Sequence, residues 1–326
     1  MKDKTRPMMR METLADSYRT FAKREASGIS PTYEAYACSV AESGTLLELL
    51  LQLPSGKQQP NLLFAATRHV IGLPDQDTDF ARHALGAWDA IVPVILSRST
   101  QTNEPGRCAC FLPAFAQLEG PLAILEVGAS AGLCLLPDLY GYDYGRSVLA
   151  PARQGGPVFP CQASAQTPLP HAHPQIAWRA GLDLNPLDVG KDEDMDWLKT
   201  LVWPEQKTRR TRLEAAIEMA KSQPPRVIAG DLIAQTEALA SEAPSGTRLV
   251  IFHTAVLTYV SPEARKEFAV LVKDLGAEWL ANESVRTLPD VAPSAILEAH
   301  PGAFVLSRNG HAIARTGPHG QFIEWL

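Results

Sequence analysis

From about Thr13 to Ala116 the apolar residues recur every three or four positions, as in Leu14, Tyr18, Phe21 and Ala22, and later Phe80, Leu85, Trp88, Ile91, Val92 and Ile95. That is the period of an amphipathic helix, and it predicts a succession of helices across the front third of the chain. The pattern breaks at Gly28-Ile29-Ser30-Pro31, Leu53-Pro54-Ser55-Gly56, Gly72-Leu73-Pro74-Asp75 and residues 100–106. Turn residues cluster there, and each proline biases its predecessor away from helix. Pro93, inside one helical pattern, predicts a kink or a helix end.

At Pro121 the period changes. Leu122-Ala123-Ile124-Leu125-Glu126-Val127 closes on Gly128-Ala129-Ser130-Ala131-Gly132 and then Leu133-Cys134-Leu135-Leu136, which predicts strand, tight glycine turn, helix. Apolar runs at Ile176 to Leu182, Arg226 to Ala229, Arg248 to Phe252 and Glu278 to Ala281 repeat the theme, with helical patterns between them. Strands alternating with helices predict a mainly parallel sheet. Ala303 to Ser307 and His311 to Arg315 flank Asn309-Gly310 and predict a hairpin, which Phe322 to Trp325 can extend, so the sheet should end in an antiparallel edge. Pro151, Pro157, Pro160, Pro168, Pro170 and Pro174 mark an inserted loop or flap, because strand-like sequence resumes after it. The expected organisation is a helical cap over 1–120 and an α/β domain over 121–326 with a proline-rich insertion at about 150–175. Asp192, Glu193, Asp194 and Asp196 read as a helix start, and Lys207, Arg209, Arg210 and Arg212 as a solvated helix face.

Composition narrows the function classes. The 326 residues carry 30 Lys+Arg against 36 Asp+Glu, a formal charge of -6, with 45% hydrophobic and 20% charged residues. A disordered chain has fewer apolar residues and more net charge, and a nucleic-acid binder has a basic surplus; neither describes this chain, and a small molecule is the expected partner. Cys38, Cys108, Cys110, Cys134 and Cys161 are odd in number and form no C-x-x-C pair, which points to reduced thiols and a cytoplasmic location. Cys108-Ala109-Cys110 is too sparse for a metal site. The first residues lack an apolar signal core, and the most apolar stretches, Leu46 to Leu51 and Ile91 to Leu96, fall far short of the roughly 20 residues that cross a bilayer. No membrane span is expected.

Glu126-x-Gly128-x-Ser130-x-Gly132 admits two chemistries. In the first, glycines at a strand-to-helix turn let the backbone approach a ligand, and unpaired N–H groups receive a carboxylate or phosphate. In the second, Gly128 to Gly132 is a G-x-S-x-G nucleophile elbow, with a hydrolase triad of Ser130, Asp231 and His319. Such an elbow ordinarily follows several strands, whereas everything upstream of this one is helical in pattern. The ligand-binding alternative also gives Glu126 a purpose in an otherwise apolar strand.

The downstream strand ends then carry Gly181-Leu182-Asp183-Leu184-Asn185-Pro186, with an acid placed to accept both hydroxyls of a ribose; Gly230-Asp231; and His253-Thr254 followed by Ala255-Val256-Leu257-Thr258-Tyr259. This ordered set resembles the core of class I S-adenosylmethionine-dependent methyltransferases over roughly residues 121–326. The resemblance implies a Rossmann-like methyltransferase-type sheet that binds S-adenosylmethionine. Glu126 would sit near the methionine amino group, Gly128, Ser130 and Gly132 would line it, and Asp183 and Asp231 would hold ribose and adenine. Asp183 lies 51 positions after Gly132 (183 minus 132), against about 20 in a compact nucleotide-binding unit, so Asp188 is the alternative ribose acid. A base beside the acceptor would assist transfer to a hydroxyl or amine. His253 is the first candidate, with Tyr259 and Glu283 behind it, and a hydrogen-bonded histidine at a strand end is the competing account. Gln101, Asn103 and Glu104 would line the acceptor side, with a turn or helix cap as their alternative.

Gln59-Pro60-Asn61-Leu62-Leu63-Phe64, Gln101-Thr102-Asn103-Glu104, Glu126 to Leu133, Gly181 to Asp188 and Trp203-Pro204-Glu205 are similar to motifs of a family of uncharacterised bacterial proteins, domain of unknown function 2332, over nearly the whole chain. That likeness confers no reaction. The expected function is methyl transfer from S-adenosylmethionine to an unidentified small molecule. The alternatives are a catalytically silent ligand-binding or assembly protein on the same fold, and a serine hydrolase using Ser130.

Overall fold

The computed structural model describes residues 2–74, 79–287 and 302–326. They form two compact units. One contains the chain up to Thr102 together with Asp196–Arg210, and the other contains Asn103–Met195 and Thr211–Leu326.

The first unit is helical, as the three- and four-residue period predicts. α1 (Lys2–Phe21) passes into a short π-helical stretch (Ala22–Ala26), followed by α2 (Pro31–Glu42), α3 (Gly44–Leu51), α4 (Pro60–Ile71), α5 (Phe80–Gly86) and α6 (Trp88–Ser97). Several starts are chemically specified. Ser30 and Ser43 accept hydrogen bonds from the N–H groups of Tyr33 and Leu46, and Asp79 accepts from Ala81, which satisfies donors that a first helical turn leaves open. α6 continues through Pro93 to Ser97, and the break falls earlier, at Ala87. The core is aromatic: Tyr36 stacks on Phe80 at 4.3 Å, and Tyr33 lies 4.9 Å from Phe64. Residues 196–210 are fastened into this unit by hydrogen bonds. Arg68 donates to the carbonyls of Thr200 and Val202, Trp197 donates to the Ser99 carbonyl, and Glu205 accepts from the Thr32 N–H.

The second unit is built on a nine-stranded sheet. Its elements are α7 (Cys108–Phe115), β1 (Leu122–Val127), β2 (Gly141–Asp143), β3 (Val148–Leu149), β4 (Val158–Pro160), β5 (Gln162–Ala163), β6 (Ile176–Asp183), α8 (Asp192–Thr200) and α9 (Lys207–Ser222), which cross between the units, then β7 (Val227–Ala229), α10 (Leu232–Ala240), β8 (Arg248–Thr254), α11 (Pro262–Asp274), β9 (Glu278–Ser284), β10 (Phe304–Arg308), β11 (His311–Thr316) and β12 (Phe322–Trp325). The strand order is β5-β12-β11-β10-β9-β8-β1-β6-β7. β7, β6, β1, β8 and β9 run parallel; β10, β11 and β12 alternate direction. This is a mixed α/β architecture with a large, mostly parallel sheet. β1 is buried at every residue, as expected of a central strand covered on both faces. One face packs Leu125, Val127 and Ile251 with Phe268 and Val272 of α11. On the other, Phe111 and Phe115 of α7 lie 5.2 and 5.8 Å from Phe252. α7 therefore belongs with the sheet, and the units part at Thr102 rather than near residue 120.

Two local expectations are corrected. The helix expected after the glycine turn is a single 3-10 turn, Leu133–Leu135. Pro137 follows, and then Tyr140, Tyr142 and Tyr144 alternate in β period, all buried, with hydroxyls donating to the carbonyls of Leu133, Pro137 and Ala109. That commits the crossover to an extended path, and β2 forms a small sheet with β3 and β4. The second correction concerns the proline-rich insertion, which is not all loop. It supplies β4 and β5, and β5 pairs in parallel with β12, so the antiparallel strands are not the outermost ones.

At the amino end of β9, Glu278 accepts from Arg308 at 2.9 Å, Asn309 at 3.0 Å and Arg248 at 3.2 Å, tying β8, β9 and β10 together. The Arg308 hydrogen bonds hold its carboxyl below the ordinary carboxylate range. A depressed folded pKa contributes stability that is present above the unfolded value, about 4.3, and is lost as pH falls through the folded value. Glu278→Gln should therefore lower the melting temperature at pH 7 and narrow its gap to the parent as the pH approaches 3, measured by thermal denaturation across that range.

Candidate functional site

Strand order reverses at β1, whose neighbours β6 and β8 lead outward in opposite directions. The crevice beyond the carboxyl ends of the strands at such a reversal is the usual ligand position in an open parallel sheet. Glu126 occupies that point. It alternates with Leu125 and Val127, so it faces the α7 side, beside its β8 register partner Phe252. Its side chain is 1% exposed, and Oε2 has no hydrogen-bond partner. Burial pushes its carboxyl well above the ordinary range; Cys134 and Asp183 add to the shift and the Arg107 charge opposes it.

The glycine loop follows. Gly128 (φ 70°), Ser130 (φ 53°) and Gly132 (φ 73°) all adopt left-handed backbone, which glycine reaches at no steric cost and serine does not. A Cβ added at Gly128 would sit 2.3 Å from Cγ2 of Val256, and one at Gly132 would sit 2.7 Å from Pro225. Both positions need glycine for conformation and for close packing. Asp183, at the end of β6, orders the loop: Oδ2 accepts the Ser130 N–H and Oδ1 the Asn185 N–H, each at 2.8 Å. The Ser130 hydroxyl is buried and has no partner. Leu133 donates to the Asn103 side chain at 2.9 Å, while Glu104 accepts from Gly106, so these two residues buttress the loop and the turn before α7. Gln101 belongs to the helical unit. Asp188 accepts from Gly190 within its own turn.

Asp231 caps α10, accepting from Ile233 and Ala234. Ser130 has no hydrogen-bonded base and Asp231 is spent on the cap, so the triad Ser130, Asp231, His319 is not assembled. His253 lies on the opposite face of the sheet from Glu126. The Trp279 indole, a donor only, reaches its Nε2 at 3.0 Å, so Nδ1 carries the proton and donates to Glu283 Oε1 at 2.7 Å. Both ring nitrogens are committed and the ring is wholly buried, the geometry of a hydrogen-bonded strand-end histidine. Glu283 Oε1 also accepts the N–H groups of Val256 and Leu257, at 2.9 and 3.2 Å. Tyr259 is 80% exposed.

Arg107 was not singled out by sequence pattern, although it lies only three positions after Glu104. It is buried, donates to the carbonyls of Pro318 and Thr254, and lies 5.7 Å from the Phe304 ring. On the same face as Glu126, Asn282 donates to Thr254 and accepts from Thr316 at 2.7 Å. A cavity of about 420 Å³ lies at the amino ends of β1 and β6, lined by Phe115, Leu122 and Pro170 among others. That is the sheet edge opposite the glycine loop and carries none of these groups. Among the described residues no cluster of His, Cys, Asp and Glu has metal-binding form, and no helix is long and apolar enough to cross a membrane.

Two outcomes follow from this geometry. A carboxyl with a raised folded pKa contributes stability that is full below about pH 4.3 and lost as pH rises through the folded value. Glu126→Gln, neutral throughout, should therefore melt higher than the parent at pH 8, with the difference shrinking toward pH 5. Gly128→Ala should cost about 1–3 kcal/mol in denaturant unfolding, from left-handed strain and the clash with Val256. Adding Val256→Ala should recover part of that loss, whereas strictly additive effects would mean the contact is not felt.

No curated protein matches the chain, and no solved structure matches it. A family model does match, over residues 15–325. The chain therefore belongs to the family described as uncharacterized protein conserved in bacteria (DUF2332).

Proposed function

We propose that the carboxyl edge of β1 binds S-adenosylmethionine and that the protein transfers its methyl group to an unidentified small molecule. The observation that carries this reading is Glu126, a buried carboxyl with an unpartnered oxygen at the point where the strand order reverses. The order β7-β6-β1-β8-β9 is that of a doubly wound nucleotide-binding sheet. Unpaired buried polar atoms are rare and ask for a partner. Glu126 Oε2 suits the amino group of the methionine moiety, with the Ser130 hydroxyl as a second contact. Asp183 supports the site through the loop it orders.

When bound, S-adenosylmethionine supplies a methyl group already activated by its sulfonium. The protein's share is to orient cofactor and acceptor and to exclude water. The α7 face supplies an apolar wall, and the Thr254, Asn282 and Thr316 row supplies polar groups for an acceptor. Since His253 is committed on both nitrogens, the site acts by alignment rather than through that imidazole as base.

Titration calorimetry with S-adenosylmethionine and S-adenosylhomocysteine tests the reading. Both should bind, and Glu126→Gln should weaken them by roughly 10- to 100-fold, the worth of a charge-assisted hydrogen bond. Pairing with an ammonium draws Glu126 into its ionised form, so a proton should be released and the heat should vary with the buffer's ionisation enthalpy. Absence of binding by both compounds would overturn the cofactor assignment.

A further inference from the structure

We propose that residues 255–259 form a strap that closes over the glycine loop through Val256, is latched by Glu283, and must swing aside for a ligand to reach Glu126. This deepens the proposed function by assigning access control to the same site.

Three observations converge on it. First, Val256 occupies the space directly above Gly128, so near that a methyl group on that glycine would overlap its Cγ2. Second, Glu126 Oε2 and Ser130 Oγ have neither a partner nor accessible surface. In the closed arrangement two polar atoms therefore lie desolvated with no donor or acceptor, which disfavours closure and favours any state that admits a ligand or water. Third, the strap is held at few points. Ala255 is a non-glycine residue at φ 57°, stabilised by its N–H on the Asn282 carbonyl. Val256 and Leu257 both donate to one oxygen, Glu283 Oε1, which His253 also contacts from below while Trp279 holds the ring. Beyond this latch the tip is open to solvent, with Thr258 and Tyr259 exposed. Left-handed strain at Ala255, anchors confined to the Asn282 carbonyl and Glu283 Oε1 of β9, and an exposed tip are the features from which we assign the segment a second position. Glu283 is thus a positioning residue that acts on the site through Val256.

Amide hydrogen exchange on the full chain without ligand tests the strap directly. The Val256 and Leu257 amides, although hydrogen-bonded to a buried oxygen, should exchange at least about tenfold faster than those of Val250 to Phe252 within β8. Glu283→Ala should accelerate them further, and Glu283→Gln, which keeps an acceptor oxygen, should restore parental rates. Protection at Val256 and Leu257 equal to that within β8 would overturn the proposal. A second variant covers the case in which Glu283→Ala does not fold. With S-adenosylhomocysteine as probe, Val256→Ala should raise the association rate several-fold in stopped-flow tryptophan fluorescence, and an unchanged rate would count against gating by Val256. If the probe binds neither protein while the two amides exchange fast, the strap stands and the cofactor assignment falls.

Discussion

The Asp183 carboxylate is the joint on which this arrangement depends. One oxygen holds the Ser130 N–H, at the tip of the turn leaving β1, and the other holds the Asn185 N–H, in the turn leaving β6. Two parallel strands end side by side, and one acid fixes the course of the chain beyond both. It is the side chain that holds the left-handed residue Ser130, in a loop that no α-helix continues and pulls into place. The Gly128 and Ala129 N–H groups also converge on one acceptor, the Leu182 carbonyl, so the β6 end organises the loop from two sides. A carboxylate that accepts two backbone N–H groups suits this task better than a neutral side chain, because hydrogen bonds to a charged acceptor are the stronger ones.

The missing helix changes what the loop can offer. A full helix after β1 would present several unpaired N–H groups and a dipole to an anion. Here the Gly132 and Leu133 N–H groups are already used, by the Ala129 carbonyl and the Asn103 side chain. The buried side-chain atoms left without a partner here are Glu126 Oε2 and Ser130 Oγ. For the proposed ligand, an acceptor oxygen such as Glu126 Oε2 suits a group that donates hydrogen bonds, and an ammonium is one such group.

Much of the fold was legible because its signals are local. Periods of 3.6 and 2 marked the helices and the strands from Leu122 onward, and Asn309-Gly310 marked the hairpin because both residues adopt positive φ there. The crossover after β1 was misread because Leu133-Cys134-Leu135-Leu136 is apolar enough for either a helix or a coil. The decisive signal lay further on, in Pro137 and the tyrosine alternation. The site was legible in part. Glu126, the glycines and Asp183 stand at strand ends, where pattern places them, but whether a carboxylate faces a ligand, a loop N–H or a helix start depends on three-dimensional neighbours. Asp231 and Asp183 share a chemical type and a strand-end position, yet one caps α10 and the other orders a loop. Arg107 carries no periodic signal, and its partners, Thr254 and Pro318, are remote in sequence.

The end of β8 links the two faces of the sheet. On the α7 face the Thr254 carbonyl accepts from Arg107, whose charge acts on Glu126. On the α11 face the next two donors, Val256 and Leu257, are taken by Glu283, with His253 and Trp279 behind it. Ala255 turns the chain between these attachments, and its left-handed conformation is what allows successive residues to reach partners on opposite faces. A displacement of the β8 loop therefore cannot stay on one side. In the proposed opening, moving Val256 away from Gly128 would disturb the Glu283 oxygen that holds Val256 and Leu257. The Thr254 carbonyl and the Glu283 oxygen thus attach the start of this loop to both faces of the sheet. If the loop takes the second position proposed above, it is the element through which both faces would respond together.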